Sequence, residues 1–292
     1  MTDCMKIRCF QKGFNYSQDG RGNRLVLHLQ GCNLRCPWCA NPEGISPAGA
    51  LMVDFDWLTA TCCPRGAVRD GALDRAMCRS CPDRPCTALR QKGIRLSCTE
   101  IEVDDLLAEC VGASPMFFDG GGVTLTGGEV CMQLDAAKAL LNGLGARGIH
   151  RAIETNATLP GAADLIPLVD EWIMDVKHWD DQKHRQWLGA GNANVLDMLN
   201  KVCATHPDAL VRIPLMPGFN DSPADADAFA ALLGPVAASD NVRAEVLVYH
   251  EFGKAKWTQC GMEYTMSGRV APEARGRLEA ALKAAGLHVV RT

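Results

Sequence analysis

The chain has 292 residues, 47% of them hydrophobic, and a formal net charge of −4 at pH 7. That length holds one large α/β domain, or one domain with an insert, and the mild acidity gives no reason to expect nucleic acid or an anionic membrane as a partner. No apolar run approaches the roughly 18–20 residues of a membrane span, and Met1–Lys6 has no apolar core like that of a secretory signal, so the expected location is the cytoplasm.

In chain order, a turn-rich stretch from Ser17 to Arg24 leads into Leu25–Gln30, a β-rich run that reads as a strand and ends at Gly31. His28 within it reads as a packed core or surface group rather than a ligand. The next loop is Cys32-Asn33-Leu34-Arg35-Cys36-Pro37-Trp38-Cys39. A cubane iron–sulfur cluster normally takes four thiolates, so a compact set of three leaves one iron open. An open position is what a metal needs to meet a substrate rather than only hold a fold. Zinc knuckles use paired C-x2-C hooks, and Cys36 with Cys39 has no second hook nearby, which favours the cluster. A loop after the first strand is also where α/β barrels and open sheets place their sites.

Nine of the fifteen cysteines lie between Cys32 and Cys98. Disulfides are disfavoured in the cytoplasm, so clustering argues for metal. Residues 53–100 carry Cys62, Cys63, Cys78, Cys81, Cys86 and Cys98 amid prolines and charges, with little periodicity. Such a segment builds little apolar core, and metal is a source of its order. Two four-thiolate clusters would need more than these six cysteines. One auxiliary cluster is expected, on Cys63, Cys78, Cys81 and Cys86, with Cys62 and Cys98 as alternates; zinc on the same thiols is the competing account. Cys110, Cys131, Cys203 and Cys260 are scattered and read as small buried hydrophobes.

A helix is expected at 101–112, with acids in its first turns. A strand at 123–126 runs into Gly127-Gly128-Glu129, where paired glycines let a ligand approach the backbone and Glu129 accepts from an ammonium group. Helices at 134–147, 160–169, 192–205, 223–238 and 272–285 alternate with strands at 149–155, 171–177, 209–215, 242–249 and 287–291. This alternation predicts a parallel sheet with right-handed crossovers. Six main strands are too few for an eight-strand barrel, so an open or partial barrel is expected. Residues 1–52 and 101–292 would form it, with 53–100 inserted. The period of two puts Asp175 and Lys177 on one strand face, Arg212 lies inside another strand, and His250 ends a third. Buried charge is costly unless paired or bound to ligand. These strand ends suit a zwitterionic, nucleoside-bearing ligand; an internal salt-bridge network is the plainer account.

Taken together, Asp19–Arg24, Gly31–Glu43, Thr126–Glu129, Glu154-Thr155-Asn156, Asp175-Val176-Lys177, Met216–Asp221 and Tyr249–Trp257 resemble, over nearly the whole chain, the glycyl-radical enzyme activating enzymes of the radical S-adenosylmethionine (SAM) superfamily. Arg21 stands where the family has proline, Glu154 where aspartate is common, and the insert falls short of the usual two full cysteine sets. The resemblance implies an α/β fold, a partial (β/α)6 radical-SAM barrel with a ferredoxin-like cysteine-rich insert. It implies that Cys32, Cys36 and Cys39 hold a [4Fe–4S] cluster whose fourth iron is chelated by S-adenosylmethionine. Trp38 and the backbone through Ala40 would lie along the adenine. Gly127 and Gly128 would meet the methionine amino group with Glu129 close by. Glu154, Asp175, Lys177, Arg212 and His250 would surround the methionine and ribose. The implied reaction is reductive cleavage of S-adenosylmethionine to a 5′-deoxyadenosyl radical, which abstracts hydrogen from a glycine of a partner glycyl-radical enzyme. The implied electron donor is of flavodoxin or ferredoxin type. Gly253–Trp257 is a candidate partner contact, although Lys254 and Lys256 also read as solvated surface charge. Two alternatives stand beside this: a radical enzyme acting on a small molecule or another peptide, and an electron-transfer or zinc-binding module. The module explains the insert but not the Gly-Gly-Glu, Asp-Val-Lys and Tyr-His-Glu motifs.

Overall fold

The chain opens with an antiparallel pair, β1 (Lys6–Tyr16) and β2 (Asn23–Leu29). A computed structural model describes residues 5–89, 92–237 and 239–292. Residues 1–4 of the N-terminal stretch, residues 90 and 91 of the expected insert, and residue 238 at the expected end of a helix lie outside the described residues. β1 was not expected, because only Ile7 and Cys9 alternate into the core before its sequence turns polar. Pairing on both flanks, rather than local pattern, makes it a strand.

A cysteine-rich excursion follows. It contains β3 (Leu51–Val53), β4 (Val68–Arg69), β5 (Ala72–Leu73), the short helix α1 (Arg75–Arg79) and β6 (Ile94–Leu96). β3 pairs with β6 and β4 with β5, both antiparallel. A small apolar cluster that includes Leu51, Val53, Leu58, Val68 and Ile94 lies beneath them. The chain rejoins the body through β7 (Thr99–Glu102), antiparallel to β1, and α2 (Val103–Gly112). The helix expected at 101–112 thus begins two residues late, because Ile101 pairs with Ile7 in the ladder.

The body then alternates: β8 (Val123–Gly127), α3 (Leu134–Gly145), β9 (Arg151–Thr155), β10 (Glu171–Asp175), α4 (Asp181–Leu188), α5 (Ala193–Thr205), β11 (Ala209–Leu215), α6 (Pro223–Leu233), β12 (Val242–Val248), α7 (Lys254–Cys260), α8 (Pro272–Ala284) and β13 (His288–Val290). The segment expected as a helix at 160–169 is a 3-10 stretch, Pro160–Leu168, with Pro167 inside it; an internal proline removes a helical donor. α4 and α7 were not expected. Only His184 and Leu188 of α4 are buried, too few for a legible apolar stripe, and local signals delimit it instead. Asp180 accepts from the Lys183 amide, and Gly189 closes it at φ 85°.

The main sheet has nine strands in the order β13-β12-β11-β10-β9-β8-β2-β1-β7. The run from β2 through β8 to β13 is parallel. The sheet ends at β13 and β7 and does not close, so the expected partial barrel is the observed architecture. Its outer face carries Leu25, Leu27, Leu29, Leu125, Ile153, Trp172, Val211 and Ile213, packed under Leu140, Leu144, Leu199, Val202, Phe229 and Leu278 of the helices. The alternate positions face inward. Near the carboxyl ends they are Thr126, Glu154, Asp175, Arg212 and Glu245, a polar layer inside an apolar shell.

Candidate active site

The strands end around a cavity of about 250 Å³. Cys32, Cys36, Trp38, Cys39, Ala40, Gly127, Gly128, Glu154, Asp175, Lys177 and His250 all line it. The cysteine loop is shaped by its own backbone. Gly31, at φ 101°, turns the chain out of β2, and the amides of Gly31 and Cys32 donate to Gly44 and Ile45 at 2.8 and 3.0 Å, closing the loop. The Arg35 amide donates to Leu188 of α4, and Arg35 Nη1 donates to the Cys32 carbonyl at 2.8 Å. Trp38, 8% exposed, packs on Phe219 with ring centroids 4.9 Å apart and fixes the rim.

Burial pushes each of Cys32, Cys36 and Cys39 up to about 12, and each thiol also feels another of the three. Unliganded, they are neutral; binding to iron displaces their protons. The Lys177 ammonium stands among them, 2.5 Å from Asp175 Oδ2. Burial pulls its pKa down, but Asp175 and the cysteine sulfurs outweigh that and hold it above the ordinary lysine value. Asp175 Oδ1 is buried and has no protein partner. A cationic and an anionic group thus face one cavity.

The polar layer beneath is a chain of charge. Thr126 donates to Glu154 at 2.8 Å, Arg212 Nη1 reaches Glu154 at 2.7 Å, and Arg212 Nε reaches Glu245 at 3.0 Å. Burial works against ionised Glu154, but Arg212 and Thr126 hold it below the ordinary glutamate value. Burial and the neighbouring Glu154 push Asp19, from the β1–β2 connection, up to about 6. Arg212 is 3% exposed and does not line the cavity. The strand register sets it level with Glu245, and Nε and Nη1 are engaged in the network.

Glu129 does not line the cavity. It is fully buried, with Oε1 accepting from the Cys131 amide and the Thr155 hydroxyl and Oε2 from the Asn156 amide. Three donors of the chain itself thus occupy this carboxylate, two on Oε1 and one on Oε2. Gly127 and Gly128 do line the cavity, but chain packing already demands them: a Cβ on Gly128 would sit 2.1 Å from the Gly31 oxygen, and one on Gly127 2.6 Å from His28 Cα.

In the insert, Cys63, Cys78, Cys81 and Cys86 line a second cavity of about 150 Å³. Burial raises Cys78 and Cys86, and their sulfurs also feel Cys63 and Cys81. The alternates are elsewhere. Cys62 Sγ meets the Trp57 carbonyl at 3.5 Å, and Cys98 packs against Gly49. Among the described residues, no three His, Cys, Asp or Glu side chains converge as one metal ion requires. In a cluster, thiolates bind separate irons and need not converge.

Two sets of contacts made by residues of the quoted motifs escaped the sequence reading. Asn156 Nδ2 lies 3.8 Å from Cys32 Sγ and 3.3 Å from Asn33 Oδ1; its place two residues after Glu154, on the same strand face, was the available signal. Lys256 and Trp257, within the candidate partner contact, grip the cysteine loop. Lys256 meets Glu43 at 2.7 Å, and Trp257 Nε1 donates to the Cys39 carbonyl at 2.9 Å. Lys254 alone fits the surface reading, exposed and paired with Glu251.

The donors fit the group the resemblance implied: three thiols on one cavity, an ammonium among them, and an unpartnered carboxylate oxygen facing in. No helix among the described residues is long and apolar enough to cross a membrane. The Radical SAM superfamily pattern matches residues 26–230. The chain is 34% identical to the (2S)-3-sulfopropanediol sulfolyase activating enzyme of Bilophila wadsworthia, over 88% of this chain and 89% of that one. It is also 34% identical to the benzylsuccinate synthase activating enzyme of Thauera aromatica, over 93% and 88% respectively. Its fold resembles that of a radical SAM methyltransferase from Sphaerobacter thermophilus, with a TM-score of 0.54 at 13% identity over 95% of this chain and 67% of that one. The chain belongs to the radical SAM superfamily, in its branch of glycyl-radical enzyme activating enzymes, and its cofactors are accordingly S-adenosylmethionine and a [4Fe–4S] cluster.

Proposed function

We propose that the protein is an activase: it cleaves S-adenosylmethionine reductively at a cluster on Cys32, Cys36 and Cys39, and the 5′-deoxyadenosyl radical takes a hydrogen atom from a glycine of a partner glycyl-radical enzyme. One observation carries the reading: the three thiols share a single cavity with Lys177 and Asp175. When bound, the cluster supplies one low-potential electron that breaks the sulfonium C–S bond. The chain's own groups hold the ligand. Lys177 pairs with its carboxylate, Asp175 Oδ1 accepts from its amino group, and the Trp38 face lies along the adenine. Gly127, Gly128, Ala40, Glu154 and His250 complete the wall, and burial of the surrounding strands excludes water. A flavodoxin or ferredoxin type donor supplies the electron, and the setting is the cytoplasm.

The insert carries one auxiliary [4Fe–4S] cluster on Cys63, Cys78, Cys81 and Cys86. The four thiols lining one cavity support a shared site there.

Anaerobic reconstitution with iron and sulfide, reduction and addition of S-adenosylmethionine tests both readings. 5′-Deoxyadenosine is expected, with about eight irons per chain for two clusters against about four for one. Cys36→Ala should abolish 5′-deoxyadenosine formation; retention of cleavage by that variant would sink the assignment.

A further inference from the structure

One short helix, α7, packs against the segments that flank both thiol cavities, the 42–44 turn after the cysteine loop and β3 at the start of the insert. At its start, Gly253 lies so close to the cysteine loop that a Cβ there would sit 2.6 Å from Ala40 Cα. Lys256 Nζ meets Glu43 Oε1 at 2.7 Å and donates to Asn41 Oδ1 at 2.9 Å. Trp257, 8% exposed, donates to the Cys39 carbonyl. Three consecutive turns of the loop, at Cys39, Asn41 and Glu43, are therefore gripped from one side.

At the far end of α7 the grip passes to the insert. Arg75 donates from Nη2 to the Gln259 carbonyl at 2.6 Å and from Nη1 to the Leu51 carbonyl at 3.0 Å. Its guanidinium fills the space that a Cβ on Gly261 would need. Arg75 is the first residue of α1, the helix that carries Cys78, and Asp74 caps that helix by accepting from the Ala76 and Met77 amides. No ion pair joins Arg75 to a carboxylate among the described residues; its charge is spent on two carbonyls from separate segments. A rigid planar fork suits that use, where a flexible ammonium would serve one carbonyl at a time.

We propose that Arg75 latches the cysteine-rich insert to α7, and that through Trp257 and Lys256 the insert thereby positions the Cys36–Ile45 half of the cysteine loop. Arg75 is a positioning residue; it touches neither cavity's ligand. The proposal deepens the functional reading and rests on it for the role of the loop. It makes the insert a mechanical part of the site: loosening α1, which carries Cys78, loosens the loop that carries Cys39.

Hydrogen exchange by mass spectrometry on the full, anaerobically reconstituted chain tests it. The amides of Cys39, Gly44 and Ile45, which are bonded within the loop, are the reporters. Arg75→Ala should speed exchange across 36–45 by about tenfold, the factor expected for losing one charge-assisted hydrogen bond. Trp257→Phe, which keeps an aromatic side chain but removes the indole donor, should do the same. If the two act along one route, the double variant exchanges no faster than the faster single variant. The electron paramagnetic resonance signal of the site cluster, with and without S-adenosylmethionine, should shift alike in both single variants, and Arg75→Lys should restore part of it. Unchanged exchange at 36–45 in Arg75→Ala, or fully additive effects, would overturn the proposal. If Arg75→Ala loses the insert's iron, Arg75→Lys with that iron retained decides: wild-type exchange and a wild-type signal in every part of the loop would refute the latch. Failure of the functional reading shows separately, as absence of 5′-deoxyadenosine from the wild type.

Discussion

Replacing Glu129 with glutamine separates a structural role from a ligand-binding one. In the folded chain both carboxylate oxygens are spoken for: the Cys131 amide at 3.0 Å, the Thr155 hydroxyl at 2.7 Å and the Asn156 amide at 2.8 Å. Burial pushes this carboxyl above the ordinary glutamate value, and the surrounding donors oppose that. A glutamine has one oxygen and one NH2. Whichever way it is turned, a backbone N–H faces another donor. The loss of one hydrogen bond to a charged group, with a buried donor left unsatisfied, costs about 2–4 kcal/mol. For a chain of this size that lowers the melting temperature by about 3–7 °C. Asn156 should move with its amide, and with it the contacts to Cys32 and Asn33. Differential scanning fluorimetry of the iron-free protein, beside a binding isotherm for S-adenosylmethionine on the reconstituted protein, reads both effects. An unchanged melting temperature with affinity lost would refute the argument and return Glu129 to the ligand.

Gly253→Ala should reduce 5′-deoxyadenosine formation and cost about 1–3 kcal/mol of stability. Its φ of −80° suits alanine, but the new Cβ would press on Ala40 and Cys39, so wild-type turnover would show that the loop yields freely. Acid should weaken the fold through Asp170 and Glu171. Burial raises both, but Arg151 outweighs it at Asp170, and the Arg21 amide with Arg243 outweighs it at Glu171, so both pKa values lie below the ordinary 3.8 and 4.5. A depressed carboxylate contributes stability that is present above its unfolded value and lost as pH falls through the folded one. The contribution of these two groups should therefore be constant from pH 7 to about 5 and fall below about 4, so the acid-side fall in melting temperature should be smaller in Arg243→Ala; equal falls in both proteins would contradict the assignment.

The sequence alone determined the chemistry and the order of the body. Three thiols in one loop, the Gly-Gly, Glu-Thr-Asn and Asp-Val-Lys strand ends, and the alternation of strand and helix were all legible. Each depends on neighbours a few residues apart, within the reach of strand and helix periods. It marked Cys63, Cys78, Cys81 and Cys86 over the alternates, and in the fold those four share a cavity. Tertiary structure decided what depends on register and on contacts between distant segments. β1 became a strand because β2 and β7 flank it, not from its own pattern. Glu129 and Arg212 carry charges that suit a ligand, yet which groups satisfy a buried charge is set by strands and turns 26 and 33 positions away for Thr155 and Glu245. α7 grips a loop 218 positions earlier through Trp257 and holds the insert through Arg75, 184 positions from Gln259. No local period encodes such pairings; only the closed packing of the chain brings their donors to their acceptors.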